Sequence, residues 1–378
     1  MPGLLAEVDD KGLLEYSVVY TDRALNHMSK IFQSVMRDIS TTLQRVYNAD
    51  AVAVVPGSGT FGMESVARQF ATGKNCLVIR NGWFSYRWSQ IFEMGDIPSR
   101  AEVLMARPLG SGPRQPFAPP PIDEVITAIR DQKPEVIFAP HVETSSGMLL
   151  PDEYLQQMAA AVHAHGGLLV LDCIASGALW VDMKTCGVDV LISAPQKGWS
   201  GSPCCALVML NDASLETMAS TISTSFACDL ARWLNIMRAY ENGGHAYHAT
   251  MPTDALRTFH RVMQETASYG FDEVCAEQRE LGSRVRTLLS ERGFQSVAAP
   301  GFEAPGVVVC YTDDPGISSG SKFAQQGLQI AAGVPLQCGE PDNFQTFRLG
   351  LFGLDKLHNI DRSVAILDKA LDPILQAE

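Results

Sequence analysis

Short, continuous apolar runs alternate with longer stretches of helical spacing through the first two thirds of the chain. The runs are AVAVV (51–55), CLVIR (76–80), EVIFAP (135–140), GLLVLD (167–172), DVLISAP (189–195) and CALVML (205–210), each bounded by Gly, Pro, Asp or Asn. Uninterrupted apolarity, rather than alternation with polar residues, predicts strands covered on both faces. Between them FGMESVARQFA (61–71), PIDEVITAIRDQ (121–132) and PDEYLQQMAAAVHAHG (151–166) predict helices. In the last of these, Pro151 and Asp152 suit a first helical turn, and His165-Gly166 suits a stop. Strand and helix in alternation predict an α/β core, a mostly parallel sheet sandwiched by helices.

From about residue 253 the texture changes. A long helical region (254–292) is followed by short strand candidates, SVAAP (296–300), GVVVCY (306–311) and TFRLGLF (346–352), and by a closing helix at 356–376. The expected division is a large domain at 1–252, its N-terminal segment open to sharing, and a smaller α+β C-terminal domain at 253–378. RPLGSGPRQPFAPPP (107–121), rich in Pro and Gly, reads as a surface connector, because strand–helix alternation resumes on both sides.

Composition narrows the function classes. Of 378 residues, 29 are Lys or Arg and 42 are Asp or Glu, a net charge of −13 with no basic block. Nonspecific nucleic-acid binding, which draws its affinity from phosphate neutralisation, is thereby disfavoured. A hydrophobic fraction of 46% is ample for a sizeable core and excludes general disorder. The nine cysteines are an odd number, scattered and without a CxxC pair. They read as reduced, mostly buried thiols, not as a disulfide framework or zinc site, and no metal is assigned. The acidic start, MPGLLAEVDDKGLLEY, lacks the basic-then-apolar order of a signal peptide. No apolar run approaches the roughly 18 residues of a membrane span. The expected setting is cytoplasmic.

The sharpest chemical signal is a pair of strand ends. Asp172 closes GLLVLD, and Lys197 follows DVLISAPQ 25 positions later. Ligands of open α/β sheets gather at the carboxyl ends of strands, so both side chains would meet in one crevice. A lysine that forms a Schiff base with an aldehyde, and a carboxylate that keeps a pyridine nitrogen protonated, are what pyridoxal phosphate requires. A helix-capping Asp and a surface-turn Lys remain open alternatives for this pair. A second element is VVPGSGTFGMES (54–65), strand, Gly-rich turn, then helix, where N–H groups from Gly59 onward and the Thr60 hydroxyl would cradle a phosphate. An ordinary strand–helix turn is the plainer account. No GK[ST] follows and Gly62 falls one residue early for GxGxxG, so the turn is neither a nucleotide P-loop nor a dinucleotide fingerprint.

The run LLVLDCIASGALWVDMKTCGVDVLISAPQKGWSG (168–201) resembles the class V aminotransferases of pyridoxal phosphate fold type I, especially the alanine/serine–glyoxylate branch. The resemblance extends in order across nearly the whole chain. It implies that Lys197 is the Schiff-base lysine and Asp172 the partner of the ring nitrogen. It implies phosphate contacts from Gln196, Ser58, Gly59 and Thr60, the last standing where the family often has His. In NGWFSYR (81–87) it implies that Phe84 stacks on the cofactor ring, with Trp83 as the fallback, and that Ile174 packs on the other face. In HVETSSG (141–147) it implies that Thr144 bonds near the ring's 3-oxygen. YHATMP (247–252) is similar to a segment that reaches the neighbouring subunit's site, so Tyr247 and Thr250 would contact phosphate there in a homodimer. Arg348 in FRLGLFG would grip a substrate carboxylate as a bidentate pair. His141, His245 and His248 are read as structural.

The Pro-Gly-Pro opening common in the family is absent, which leaves the substrate open. Trp199, two residues past the lysine, is positioned to narrow the pocket. The leading expectation is a ping-pong aminotransferase that moves an amino group from an alanine- or serine-like donor to glyoxylate or pyruvate. The alternatives are a pyridoxal phosphate lyase or desulfurase, for which Cys338 in PLQCGEPDNF is the credible loop nucleophile, or an aminotransferase for an aminophosphonate.

Overall fold

The apolar runs form the central sheet of the computed structural model, which describes residues 6–376. Residues 1–5, part of the N-terminal segment read for a signal peptide, lie outside the described residues. The strands are β1 (Ala51–Pro56), β2 (Asn75–Arg80), β3 (Arg100–Met105), β4 (Val136–Pro140), β5 (Leu168–Asp172), β6 (Val190–Ser193) and β7 (Cys205–Leu210). They lie side by side in the order β1-β7-β6-β5-β4-β2-β3. β7 runs antiparallel to both of its neighbours, and every other pairing is parallel. β4 to β7 are buried along their whole length. β3, which had no apolar run to announce it, is an edge strand whose RAEVLM sequence is largely solvent-facing.

Helices cover the sheet: α1 (Lys30–Tyr47), α2 (Gly59–Phe70), α3 (Trp83–Gly95), α4 (Ile122–Gln132), α5 (Asp152–His163) and α6 (Leu230–Glu241). α1 shows how the local sequence does this. Ser29 caps it by accepting the Phe32 N–H at 3.1 Å, and Asn48 ends it in the left-handed region. Phe32, Met36, Ile39 and Leu43 then recur at helical spacing and are fully buried. Burial of such a side chain contributes roughly 1.5–3 kcal/mol.

The predicted long helical region is two helices, α7 (Thr253–Tyr269) and α8 (Phe271–Glu291), separated at Gly270. A three-stranded antiparallel sheet follows, β8 (Val307–Tyr311), β9 (Ala331–Ala332) and β10 (Thr346–Gly350), with β10 in the middle. Helix α9 (Ile360–Gln376) closes the chain. SVAAP forms no named strand: it makes two isolated bridges, Ser296 to Cys310 and Ala298 to Phe117, so it touches both the small sheet and the 107–121 connector. The first core lies between the large sheet and its helices and takes in Leu256, Phe259 and Met263 of α7. A second core joins α8, the small sheet and α9 through Leu281, Phe347 and Leu371. No helix among the described residues is long and apolar enough to cross a membrane.

Candidate active site

The carboxyl ends of β1, β5 and β6 open on one cavity of about 350 Å³, closed on its far side by β10. Asp172 is the last residue of β5. One of its carboxylate oxygens accepts the Ile174 N–H at 2.9 Å, and burial pushes the carboxyl up to about 7. Arg87 opposes that rise and Glu143 adds to it. Gln196 and Lys197 follow β6, which is parallel to β5, so the turn after it delivers both side chains to the same crevice. Burial, with help from the nearby Arg348 charge, holds the Lys197 ammonium below the usual lysine range. That ammonium lies 5.3 Å from the Phe352 ring centroid and makes no hydrogen bond or ion pair among the described residues.

On the opposite wall, β1 leads through Gly57 and Ser58 into α2, with Ser58 at the N-cap position and Gly59 as the first helical residue. The free N–H groups of a helix start therefore face the cavity. A Cβ on Gly59 would come within 2.5 Å of the Ile174 side chain, so glycine is what allows this turn to approach the segment after β5. Phe84, in the first turn of α3, faces the same space. The guanidinium of Arg87 lies 5.2 Å from its ring centroid and that of Arg348 5.6 Å. Arg348 comes from β10 and is held by an Nε–H donated to the Ala332 carbonyl at 2.8 Å. Its pKa is lowered by burial, and among the described residues no carboxylate pairs with it.

Ten of the sequence-predicted residues thus line one cavity: Ser58, Gly59, Thr60, Phe84, Thr144, Asp172, Ile174, Gln196, Lys197 and Arg348. Tyr247 and Thr250 do not. They bond each other at 3.2 Å on a separate surface, with Tyr247 half exposed and its ring 5.6 Å from that of His27. Trp83, the fallback for Phe84, packs on Tyr86 instead. Trp199 corrects an expectation. The lysine turn closes through the Ser200 N–H to the Lys197 carbonyl at 3.0 Å, and Trp199 is fully buried against Trp180, Phe259 and Phe271, away from the cavity.

Arg87 and Phe352 are among the lining residues that the sequence does not announce. Arg87 ends the NGWFSYR block one helical turn after Phe84, and it donates to the Thr60 hydroxyl at 2.9 Å. Phe352 lies four residues past Arg348, beyond the end of β10. Cys338, the candidate nucleophile, is buried with its thiol pushed up to about 12 by that burial, and its N–H is tied to Glu340 at 2.8 Å. His141 is buried, donates or accepts at Ser176 (2.7 Å), and is pushed down to about 3 by its burial.

Comparison with known proteins follows the same outline. Residues 6–341 match the family model described as aminotransferase class-V. The chain is 26% identical to the alanine–glyoxylate aminotransferase of Rattus norvegicus, over 92% of this chain and 82% of that protein. It is 25% identical to a 2-aminoethylphosphonate–pyruvate transaminase of Paraburkholderia xenovorans, over 93% of this chain and 90% of that one. Among solved structures, an aspartate aminotransferase of subgroup IV from Thermus thermophilus superposes with a TM-score of 0.76 at 25% identity, covering 93% of both chains. The architecture is the fold type I arrangement expected from the sequence.

Proposed function

The chain belongs to the class V aminotransferases, and from that premise we propose that it moves the amino group of an alanine- or serine-like donor to glyoxylate or pyruvate, using pyridoxal phosphate in a ping-pong cycle. The observation that carries this reading is the convergence of Asp172, Gln196 and Lys197 with the Ser58–Thr60 turn on one cavity. The residues fit the cofactor. Gln196 keeps a buried amide oxygen without a partner, an orphan that a bound ligand would satisfy directly or after the amide turns its donors to a phosphate. At the Ser58–Thr60 turn glycine at 59 leaves room for the Ile174 side chain, which a Cβ would strike, and the helix-start N–H groups remain available to a phosphate.

When bound, pyridoxal phosphate supplies an aldehyde that condenses with amines and an electron-poor ring that draws charge from the substrate Cα. Lys197 would hold the cofactor covalently and, as a free amine, would serve as the general base for the Cα proton. Its lowered pKa favours the neutral amine that this role needs. Asp172 would pair with the ring nitrogen and keep a proton on it. Phe84 and Ile174 would cover the two ring faces, Thr144 would bond beside the 3-oxygen, and Gln196 with Ser58, Gly59 and Thr60 would hold the phosphate. Arg348 would fix the donor carboxylate and so orient its Cα–H.

The acceptors in the names of the rat and Paraburkholderia proteins support glyoxylate or pyruvate. The second of these names favours one further reading, an aminophosphonate donor. Cys338 offers little support to a desulfurase, since a buried thiol with a raised pKa is a poor nucleophile. The test is amino transfer from L-alanine, L-serine and 2-aminoethylphosphonate to each acceptor, with both products quantified. Transfer from one of the amino acids is expected. Failure of every donor with both acceptors overturns the proposal, and transfer from the phosphonate alone selects the second reading.

A homodimer is proposed to complete the site, with Tyr247 and Thr250 reaching the partner's phosphate. What supports it is an exposed apolar tract. Phe61 beside the phosphate turn, Ile222, Phe226, Tyr247 and Val18 are all exposed. Ring contacts of Phe226 with His248 (4.8 Å), and of His27 with both Tyr247 and Tyr20 (5.6 Å each), tie these segments together. The nine free cysteines support a cytoplasmic setting. The division into a large domain (1–252) and a small one (253–378) is retained as a proposal in which α7, opening the second, lies against the first core.

A further inference from the structure

Helix α3 carries Phe84 in its first turn, yet its N-cap is Gly82, which has no side chain with which to satisfy the free N–H groups. All three are satisfied from a segment about 60 positions along the chain. The Trp83 N–H donates to Ser145 Oγ at 2.9 Å, the Phe84 N–H to Glu143 Oε1 at 3.2 Å, and the Ser85 N–H to Glu143 Oε2 at 2.8 Å. The same carboxylate accepts the Ser85 hydroxyl at 2.7 Å and, from its own segment, the Ser145 N–H at 3.0 Å and hydroxyl at 2.8 Å.

Glu143 is fully buried, and among the described residues no cation lies within ion-pair distance of it. Donors and the positive end of the α3 dipole therefore stand where a counter-charge would. Gly82 makes the approach possible, since a Cβ there would sit 2.0 Å from Ser145 Oγ and 2.8 Å from Glu143 Cγ. Thr144 lies between the two capping residues and lines the same cavity as Phe84. One bond set thus ties the segment that carries Phe84 to the segment that carries Thr144.

We propose that Glu143 is a positioning residue for cofactor binding: it caps α3 from outside the helix and fixes Phe84 relative to Thr144. This rests on the reading of the cavity as a pyridoxal phosphate site. Glutamine at 143 presents an NH2 group where one oxygen now accepts two donors, so the first turn of α3 and the ring it carries lose their register.

The test is a double-mutant cycle on pyridoxal phosphate affinity, measured by fluorescence titration of the cofactor-free protein, with the visible circular dichroism of the bound cofactor as second readout. Glu143→Gln is expected to weaken binding about 10- to 100-fold and to lose most of the dichroic band. Phe84→Leu weakens it by a comparable factor, and the double variant is no worse than Phe84→Leu alone, because Glu143 acts through that ring. Multiplicative losses in the double variant, or Glu143→Gln binding within twofold of the unaltered chain, would overturn the inference. If Glu143→Gln does not fold, Ser145→Ala with Phe84→Leu runs the same cycle, with about a threefold single effect and the same non-additivity expected. An unaltered chain that takes up no cofactor sinks the underlying reading, and this inference with it, before any variant is compared.

Discussion

The strand-end cavity and the surface around Tyr247 hold residues assigned to one site, and they differ in how far a single chain finishes them. In the cavity, the backbone is fixed by the buried strands β5 and β6, while the polar ends of Lys197, Gln196 and Arg348 are held without an ionic partner. At Tyr247 the arrangement is reversed. Its hydroxyl is paired with Thr250, while apolar surface is left in water, Phe226 at 80% exposure and Ile222 at 85%. The unmet requirement in the first region is electrostatic and calls for a small anionic ligand. In the second it is hydrophobic and calls for a protein surface.

The largest blow to the first region is removal of its amine. Lys197→Ala is expected to lower amino transfer by about 10³-fold or more, since both the covalent attachment and the Cα base are lost. Borohydride reduction followed by mass spectrometry should show the cofactor fixed to the unaltered chain and absent from the variant. Retention of a reduced adduct in the variant would break the contrast, because the electrostatic demand would then be centred elsewhere.

Asp172 sharpens the same contrast through pH. Its folded pKa, about 7, lies above the ordinary carboxylate value of 3.8, because burial disfavours the charge. The native chain without cofactor therefore holds a proton that the unfolded chain has released. The stability contributed by this group is complete below about pH 4 and is lost as pH rises through 7, on the order of 2–4 kcal/mol. Asp172→Asn should raise the melting temperature of the cofactor-free chain at pH 8 and change it little at pH 4. Cofactor binding has the opposite preference, since a protonated ring nitrogen wants the carboxylate ionised. Affinity of the unaltered chain should fall about tenfold per unit below pH 7, and the slope should flatten in the variant. Equal melting temperatures at pH 8 would mean that the carboxyl is solvated and the cavity less demanding than its burial implies.

What the sequence disclosed follows from how local each signal is. Asp172 and Lys197 were legible because a strand end is visible as the last residue of an apolar run, and parallel neighbours bring their ends together. β3 was not, since an edge strand has no second face to bury and so no continuous apolar run. Trp199 was misplaced because a turn, not a strand, sets its direction, and residue spacing carries no record of it. Glu143 lay in plain view in HVETSSG, but its partners across the fold are the N–H groups of Phe84 and Ser85, contacts that exist only once β2 and β4 pair. Arg87 is an intermediate case, readable as one helical turn from Phe84 but not as a donor to Thr60.

The remaining contrast turns on whether the second region is completed by another copy of the chain. Phe226 is the most telling position there, because it is exposed, contacts His248 and belongs to no part of the cavity. If a partner covers it, a charge at that position must be desolvated on assembly, a cost of several kcal/mol against the interface and none against the isolated fold. Phe226→Asp should sediment as a monomer with an unchanged melting profile at low concentration. Its cofactor affinity should fall about tenfold, the share that Tyr247 and Thr250 of a second copy would supply to the phosphate. Met94→Asp, at a residue 91% exposed on α3 outside the tract, controls for surface charge and should change neither quantity. Tyr247→Phe should reproduce the loss of affinity in weaker form, a few-fold, while leaving the sedimentation of the unaltered chain intact. A Phe226→Asp chain that sediments and binds cofactor like its parent would leave the exposed tract without a partner, and the cavity would have to be complete within one chain.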